Sequence, residues 1–167
     1  MGDVVRMPGV SLLVQDALFE ARPAVSKTAE RPKRDTKRIG DVSEAKVLVK
    51  LVEAGYYVSK PFGENQRYDL IIDDGATLAR VQVKTGRLRG GVIVFSCCST
   101  HGHRRSRLKS RPYFGQIEYL AVYCPDVEKV YLLPEQELTS STAHLRLSPT
   151  RNNMEKMIRW AAQFELP

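Results

Sequence analysis

Asp69, Gln82 and Lys84, in the stretch YDLIIDDGATLARVQVKTG, carry side chains suited to gathering a hard metal ion and a water. Asp-Gly between two β-branched runs is the strongest short-range signal for a β-hairpin. With Asp74 and Gly75 as a two-residue turn, Asp73 pairs with Ala76 and Asp69 lies opposite Arg80. Side chains alternate faces along a strand, so Asp69, Arg80, Gln82 and Lys84 share one face. Leu70, Ile72, Ala79, Val81 and Val83 share the other, which is the natural core face. A one-residue slip would drive Asp69 into the core, and this fixes the register.

A carboxylate, an amide oxygen and an ammonium on one face have a definite chemistry. Magnesium takes hard oxygen ligands and keeps several waters, so Asp69 and Gln82 could hold it beside a phosphate. A water bound to such an ion has a lowered pKa and becomes a usable nucleophile. Lys84 could orient or deprotonate that water, or offset charge on the phosphate. Alternation alone favours a strand whose outer face simply meets water, since exposed Asp, Gln and Lys are ordinary.

The neighbouring elements must position these residues. GDVSEAKVLVKLVEAG predicts a helix with Asp41 as N-cap, Glu44 reaching back to it, and Gly55 as the stop. Val47, Leu48, Leu51 and Val52 form its buried stripe. YYVS is a short strand, and the loop KPFGENQR leads into the hairpin. VIVFSCC, EYLAVYC, KVYLLP and HLRLS are further strands, and RNNMEKMIRWAAQF is a closing helix with Trp160 and Phe164 in the core. The plan is α/β, with a mixed sheet of about five strands flanked by helices.

Upstream, residues 10–20 have helical spacing, and ARPAVSKTAERPKRDTKR reads as a linker or basic arm (Arg31, Lys33, Arg34, Lys37, Arg38). The expected division is therefore an N-terminal helix and arm over 1–37 and one domain over 38–167. The 167 residues carry a formal charge of +7, from 26 Lys and Arg against 19 Asp and Glu. Such an excess favours polyanions through counterion release. No apolar run is long enough for a membrane span and no signal peptide is evident, so no membrane partner is expected. Three cysteines, two of them adjacent, point to a reduced cytoplasmic chain. Cys97, Cys98, His101 and His103 lack the spacing of structural zinc sites.

The motif resembles the PD-(D/E)XK nuclease superfamily: an acid entering one strand, then acid-or-Gln, a spacer and Lys on the next. GDVSEAKVLVKLVEAGYYVSKPFGENQRYDL, RVQVKTGRLRGG and YFGQIEYLAVYCPDVEKVYLLP resemble more closely its bacterial branch of endonucleases related to a group I intron homing enzyme. The resemblance implies a restriction-endonuclease-like core. It implies Asp69 as the central metal-binding aspartate, Lys84 as the catalytic lysine, and Gln82 in the place of the usual second acid. It also implies Glu44 as the helix glutamate completing the site, with Glu118 in support. Tyr68 stands where the superfamily has proline. The neutral amide of Gln82 lends no charge to a metal, which lowers the affinity expected for a second cation.

The implied activity is a magnesium-dependent endonuclease (Mg²⁺, with Mn²⁺ able to substitute) acting on double-stranded DNA. Long-target cutting would need a homo-oligomer, a dimer or tetramer. A Holliday junction resolvase or repair nuclease uses the same chemistry, and a DNA-binding protein that has lost cleavage is the alternative of another class. Arg104, Arg105, Arg107, Lys109 and Arg111, with Tyr113 and Phe114 behind them, form a basic loop suited to tracking phosphates. Arg87 and Arg89 on one side of the site, and Gln66 and Arg67 on the other, are placed to touch a DNA strand.

Overall fold

The computed structural model describes residues 35–63, 65–101, 109–150 and 156–167. The helix predicted over 10–20, Arg31, Lys33, Arg34, His103, Arg104, Arg105 and Arg107 lie outside the described residues. Helix α1 runs from Thr36 to Glu53. Its cap is Asp35, whose carboxylate accepts from the Arg38 amide at 3.1 Å. The helix thus starts more than a turn before the expected point, because Asp35 is as good a cap as Asp41 and comes first. Lys37 and Arg38, expected in the arm, lie in its first turn. Asp41 and Glu44 lie inside the helix, and Glu44 is released from capping. At the other end the Tyr56 amide reaches Leu51 O at 3.1 Å and the Gly55 amide reaches Val52 O at 3.0 Å. Gly55, at φ +92°, supplies the left-handed residue this double closure requires.

The row Ser43, Val47, Leu51, spaced by four, is buried beneath α1. Leu48 packs on its flank, whereas Val52 is 54% exposed. The buried stripe is narrower than the spacing suggests, since a step of one residue turns the helix by about 100°.

Strands β1 (Tyr57–Ser59), β2 (Leu70–Asp73) and β3 (Leu78–Thr85) run as an antiparallel meander. β4 (Arg87–Arg89), β5 (Val92–Ser96), β6 (Cys98–His101) and β7 (Lys109–Pro112) come next. β8 (Tyr119–Cys124), β9 (Lys129–Pro134) and β10 (Thr142–Arg146) complete the set. The main sheet has five strands in the order β1-β2-β3-β8-β9, and only β3 and β8 are parallel. The sheet is mixed, as expected. A parallel pair needs a crossover, and here it is built from β4 to β7. β5 forms a second sheet in the order β10-β5-β4, while β6 and β7 pair as a hairpin.

The main sheet is therefore buried on both faces. Leu70, Ile72, Val81, Val83 and Ala121 pack with Val47 and Leu51 of α1. Leu120, Val122, Tyr131 and Leu133 pack with Ile93, Phe95 and Leu145 of the second sheet. The closing helix is a correction. Residues 151–155 lie outside the described residues. The rest of the tail forms a turn, a bridge from Trp160 to Arg146, and a short 3-10 turn at Ala161–Gln163. The Leu132 amide donates to Phe164 O at 2.8 Å and the Leu166 amide to Val130 O at 2.9 Å. The tail covers the open edge of β9, whose backbone groups need partners, and this overrides its helical spacing.

The hairpin also differs from expectation. Asp73 pairs with Leu78, leaving a loop of Asp74, Gly75, Ala76 and Thr77. The Asp74 carboxylate accepts from the amides of Ala76 at 2.9 Å and Thr77 at 2.8 Å. These bonds, that to Thr77 foremost, hold its pKa below the ordinary value. The register has moved by two residues, which returns every side chain to its predicted face.

At the end of β3 the two sheets come close. A Cβ on Gly86 would lie 2.7 Å from Ile93 Cγ2 and 2.9 Å from Val122 Cγ1. Gly86→Ala is expected to cost about 1–3 kcal/mol through overpacking. Thermal melts should show it as a drop of about 2–4 °C per kcal/mol in a chain of this size. An unchanged Tm would mean the two sheets can part at this point.

Candidate active site

Asp69 lies one residue before β2, where the strand ladder has not begun. Its amide donates to Val81 O at 2.9 Å. Its Oδ2 accepts from the Val83 amide at 2.8 Å and from Gln82 Nε2 at 2.5 Å. The carboxylate thus stands in for a backbone carbonyl and is fixed to β3. Burial raises its pKa above the ordinary carboxylate value, with the Val83 amide opposing, Glu44 adding to the rise, and Lys84 and Lys60 reducing it. Its Oδ1 accepts no hydrogen bond among the described residues.

Three cavities converge on Asp69. One of about 280 Å³ includes Glu44, Lys60 and Gln66. A second of about 260 Å³ includes Asp41, Glu44, Lys84 and Thr85. A third of about 320 Å³ includes Gln66, Gln82, Arg111 and Tyr113. The structure brings Asp69, Gln82, Lys84 and Glu44 together around one point.

Glu44 arrives through a contact that the sequence does not announce. Ser43, 1% exposed, donates or accepts a 2.6 Å hydrogen bond with Thr85 Oγ1 and also reaches Ile39 O at 3.0 Å. The two residues it joins are the immediate neighbours of Glu44 and Lys84. A buried hydroxyl pair therefore sets the helix glutamate against the strand lysine. Glu44 Oε1 is engaged by Lys60 Nζ at 2.5 Å, and this pair raises the Lys60 pKa. Lys60 was missed as a site residue. It comes directly after β1, and the Ser59–Ile71 pairing carries it toward Asp69.

Gln82, 8% exposed, stands differently from its expected role as an oxygen ligand. Its nitrogen reaches Asp69 Oδ2, and also Val83 O at 3.2 Å. Both neighbours are acceptors, so the nitrogen must face them. Gln82 is a prop for Asp69 in this arrangement. Lys84 Nζ makes no ion pair or hydrogen bond among the described residues, and its contact is the face of Tyr113, 5.1 Å from the ring centroid.

The expected DNA-facing residues divide. Arg87 and Arg89 are exposed on β4, an edge strand that begins just past the end of β3 and so lies close to Lys84 along the chain. Gln66 and Arg111 line the third cavity, and Lys109 lies on β7. Arg67 is committed to the fold. Its guanidinium donates to Gln116 Oε1 (2.5 Å), Ser99 Oγ (2.5 Å), Arg111 O (3.1 Å) and Pro112 O (3.0 Å), tying the β6–β7 hairpin to the site loop. Arg80, expected on the face of Asp69, is held by Glu118 at 2.5 Å. That pair joins the starts of β3 and β8 and gives Glu118 a structural role.

The donor set suits a divalent cation. Among the described residues no three His, Cys, Asp or Glu side chains close into a cage. Two carboxylates, one with a free oxygen, suit magnesium, which binds through one or two carboxylates and takes its other ligands from water and phosphate.

Comparison with the curated proteins returned no match. Among solved structures the chain is similar to the bacterial homing endonuclease I-Ssp6803I, with 26% identity and a TM-score of 0.64 over 78% of this chain and 88% of that chain. The α/β architecture is that of a restriction-endonuclease-like fold. The sequence profile of the PD-(D/E)XK endonuclease matches residues 34–167, from the residue before the α1 cap to the C-terminus. With the match spanning the helix, the main sheet and the clustered Asp69 and Lys84, the chain belongs to the PD-(D/E)XK endonuclease family.

Proposed function

We propose that this chain is a magnesium-dependent endonuclease that hydrolyses phosphodiester bonds in double-stranded DNA, in the manner of a homing endonuclease of the Q-x-K type. The observation that carries the reading is the convergence of Asp69, Glu44 and Lys84, which has no ion-pair partner among the described residues, on one cavity. Asp69 Oδ1 and the Glu44 carboxylate would hold the cation, with Gln82 steadying Asp69. When bound, the cation would supply positive charge to the scissile phosphate and lower the pKa of a nearby water. Glu44, paired with Lys60 in this structure, would leave that pair to serve as a ligand. Lys84 orients the attacking water or offsets charge on the phosphorus oxygens. Gln66 and Arg111, which line cavities with Asp69, and Arg87 and Arg89 on β4 would steer the phosphate backbone into the site.

Long-target specificity would come from a homo-oligomer, dimer or tetramer, with Arg104, Arg105, Arg107 and Lys109 adding backbone contacts. An N-terminal arm ahead of the domain belongs to the same proposal, with the domain starting at the Asp35 cap rather than after residue 37. Among the described residues no helix is long and apolar enough to cross a membrane.

The test is cleavage of plasmid and branched DNA with magnesium or manganese. Asp69→Asn and Lys84→Ala are expected to cut at least about a hundredfold more slowly than wild type, while still binding DNA. Binding without cutting by the wild type under either metal would make the chain a cleavage-deficient DNA-binding protein. A preference for four-way junctions over linear duplex would mark a junction resolvase.

Asp69 also predicts a pH dependence. Its folded-state pKa lies above its unfolded value, chiefly through burial. The folded chain then keeps a proton that the unfolded chain has lost, so the stabilisation is present below the ordinary carboxylate pKa and is lost as pH rises through the raised value. Without divalent cation, Asp69→Asn is expected to melt above wild type at neutral pH, with the gap closing as pH falls through that window. Melting curves that keep a constant gap would show that Asp69 ionises in the folded chain as it does in the unfolded one.

A further inference from the structure

A lysine that must act on a water or a phosphate needs support that leaves its N–H donors unspent. A carboxylate partner would consume those donors, cancel the charge, and compete with the cation for the same oxygens. Lys84 has no such partner among the described residues. Its ammonium lies instead over Tyr113, which is 3% exposed and also lines the cavity shared by Asp69 and Gln82. Arg67 lies over the same ring at 4.5 Å, and its hydrogen bonds to the β6–β7 hairpin fix it there. The ring is thus held by the core and by a second cation that cannot move away.

We propose that Tyr113 is the positioning residue for Lys84, holding its ammonium beside Asp69 through the negative face of the aromatic ring. The inference rests on the nuclease reading for its consequence in catalysis. An aromatic face attracts a cation without taking a hydrogen bond from it, and the attraction strengthens where water is excluded. It restrains the long, flexible lysine stem while its three donors stay free. The phenolic hydroxyl has no part in this, so a plain ring should serve as well.

The experiment compares wild type with Tyr113→Phe, Tyr113→Leu, and a fluorinated phenylalanine placed at position 113. Fluorination keeps the ring's shape and drains its face of negative charge, so it covers the case in which the leucine variant fails to fold. Two readouts are taken. In cation-free protein, NMR should find the Lys84 Hε protons shifted upfield by the ring in wild type and in Tyr113→Phe, and returned to ordinary positions in Tyr113→Leu. In cleavage, Tyr113→Phe should stay within about twofold of wild type, while the leucine and fluorinated variants lose about tenfold in kcat with KM for DNA unchanged. Full kcat in the fluorinated variant, or an unshifted Lys84 in wild type, would overturn the proposal. A wild type that cuts no DNA but shows the upfield shift would sink the nuclease reading and leave the placement of Lys84 by Tyr113 supported.

Discussion

The hydrogen bond from the Val83 amide to the Asp69 carboxylate is the constraint on which the site depends. A charged side chain occupies a place that a backbone carbonyl would fill one residue further along the hairpin. The bond anchors the carboxylate to the centre of the main sheet, where motion is most restricted. It also buries the group, and burial of a carboxylate is unfavourable unless it is paired and hydrogen-bonded. The nearby Glu44 adds repulsion, and Lys84 and Lys60 only partly relieve it. Carboxylates perturbed in this way are the kind that mark functional clefts.

The second constraint is Ser43 against Thr85. One buried hydroxyl pair joins the helix to the strand, and it sits next to Glu44 on one side and Lys84 on the other. The helix row that packs on the sheet begins with this serine and continues with Val47 and Leu51, so packing and site geometry share one line of contact. The second sheet supports the opposite face of the main sheet, where Ile93 packs with Leu120 and Val122 of β8. Regular elements on both sides hold the residues more rigidly than a loop could.

What was legible in the sequence was local. The faces of β2 and β3 followed from strict alternation, and α1 followed from its spacing and from Gly55. The points that went astray had two equally good local solutions. Asp74-Gly75 suits a tight turn, but it also suits a longer loop in which Asp74 caps Ala76 and Thr77. Asp35 and Asp41 are both competent caps. The tail has helical spacing, yet the edge of β9 offered its backbone better partners. Lys60 beside Glu44 and Tyr113 beneath Lys84 leave no periodic trace, because each contact joins segments far apart in the chain. Gln82 lies on the predicted face of β3, but which end of its amide faces Asp69 is decided by the acceptors around it.

The two-residue displacement of the hairpin register has a wider meaning. A strand has only two sides, so a shift of two keeps Asp69, Gln82 and Lys84 on one face, while its size sets which residue stands opposite Asp69. Here the shift exchanges Arg80 for Gln82, whose amide then reaches the carboxylate. The four-residue loop can take up an inserted residue without moving that register, because the Asp73–Leu78 pair closes it independently of its length. Only a slip in the pairing itself would turn the carboxylate inward and bring an aliphatic side chain out.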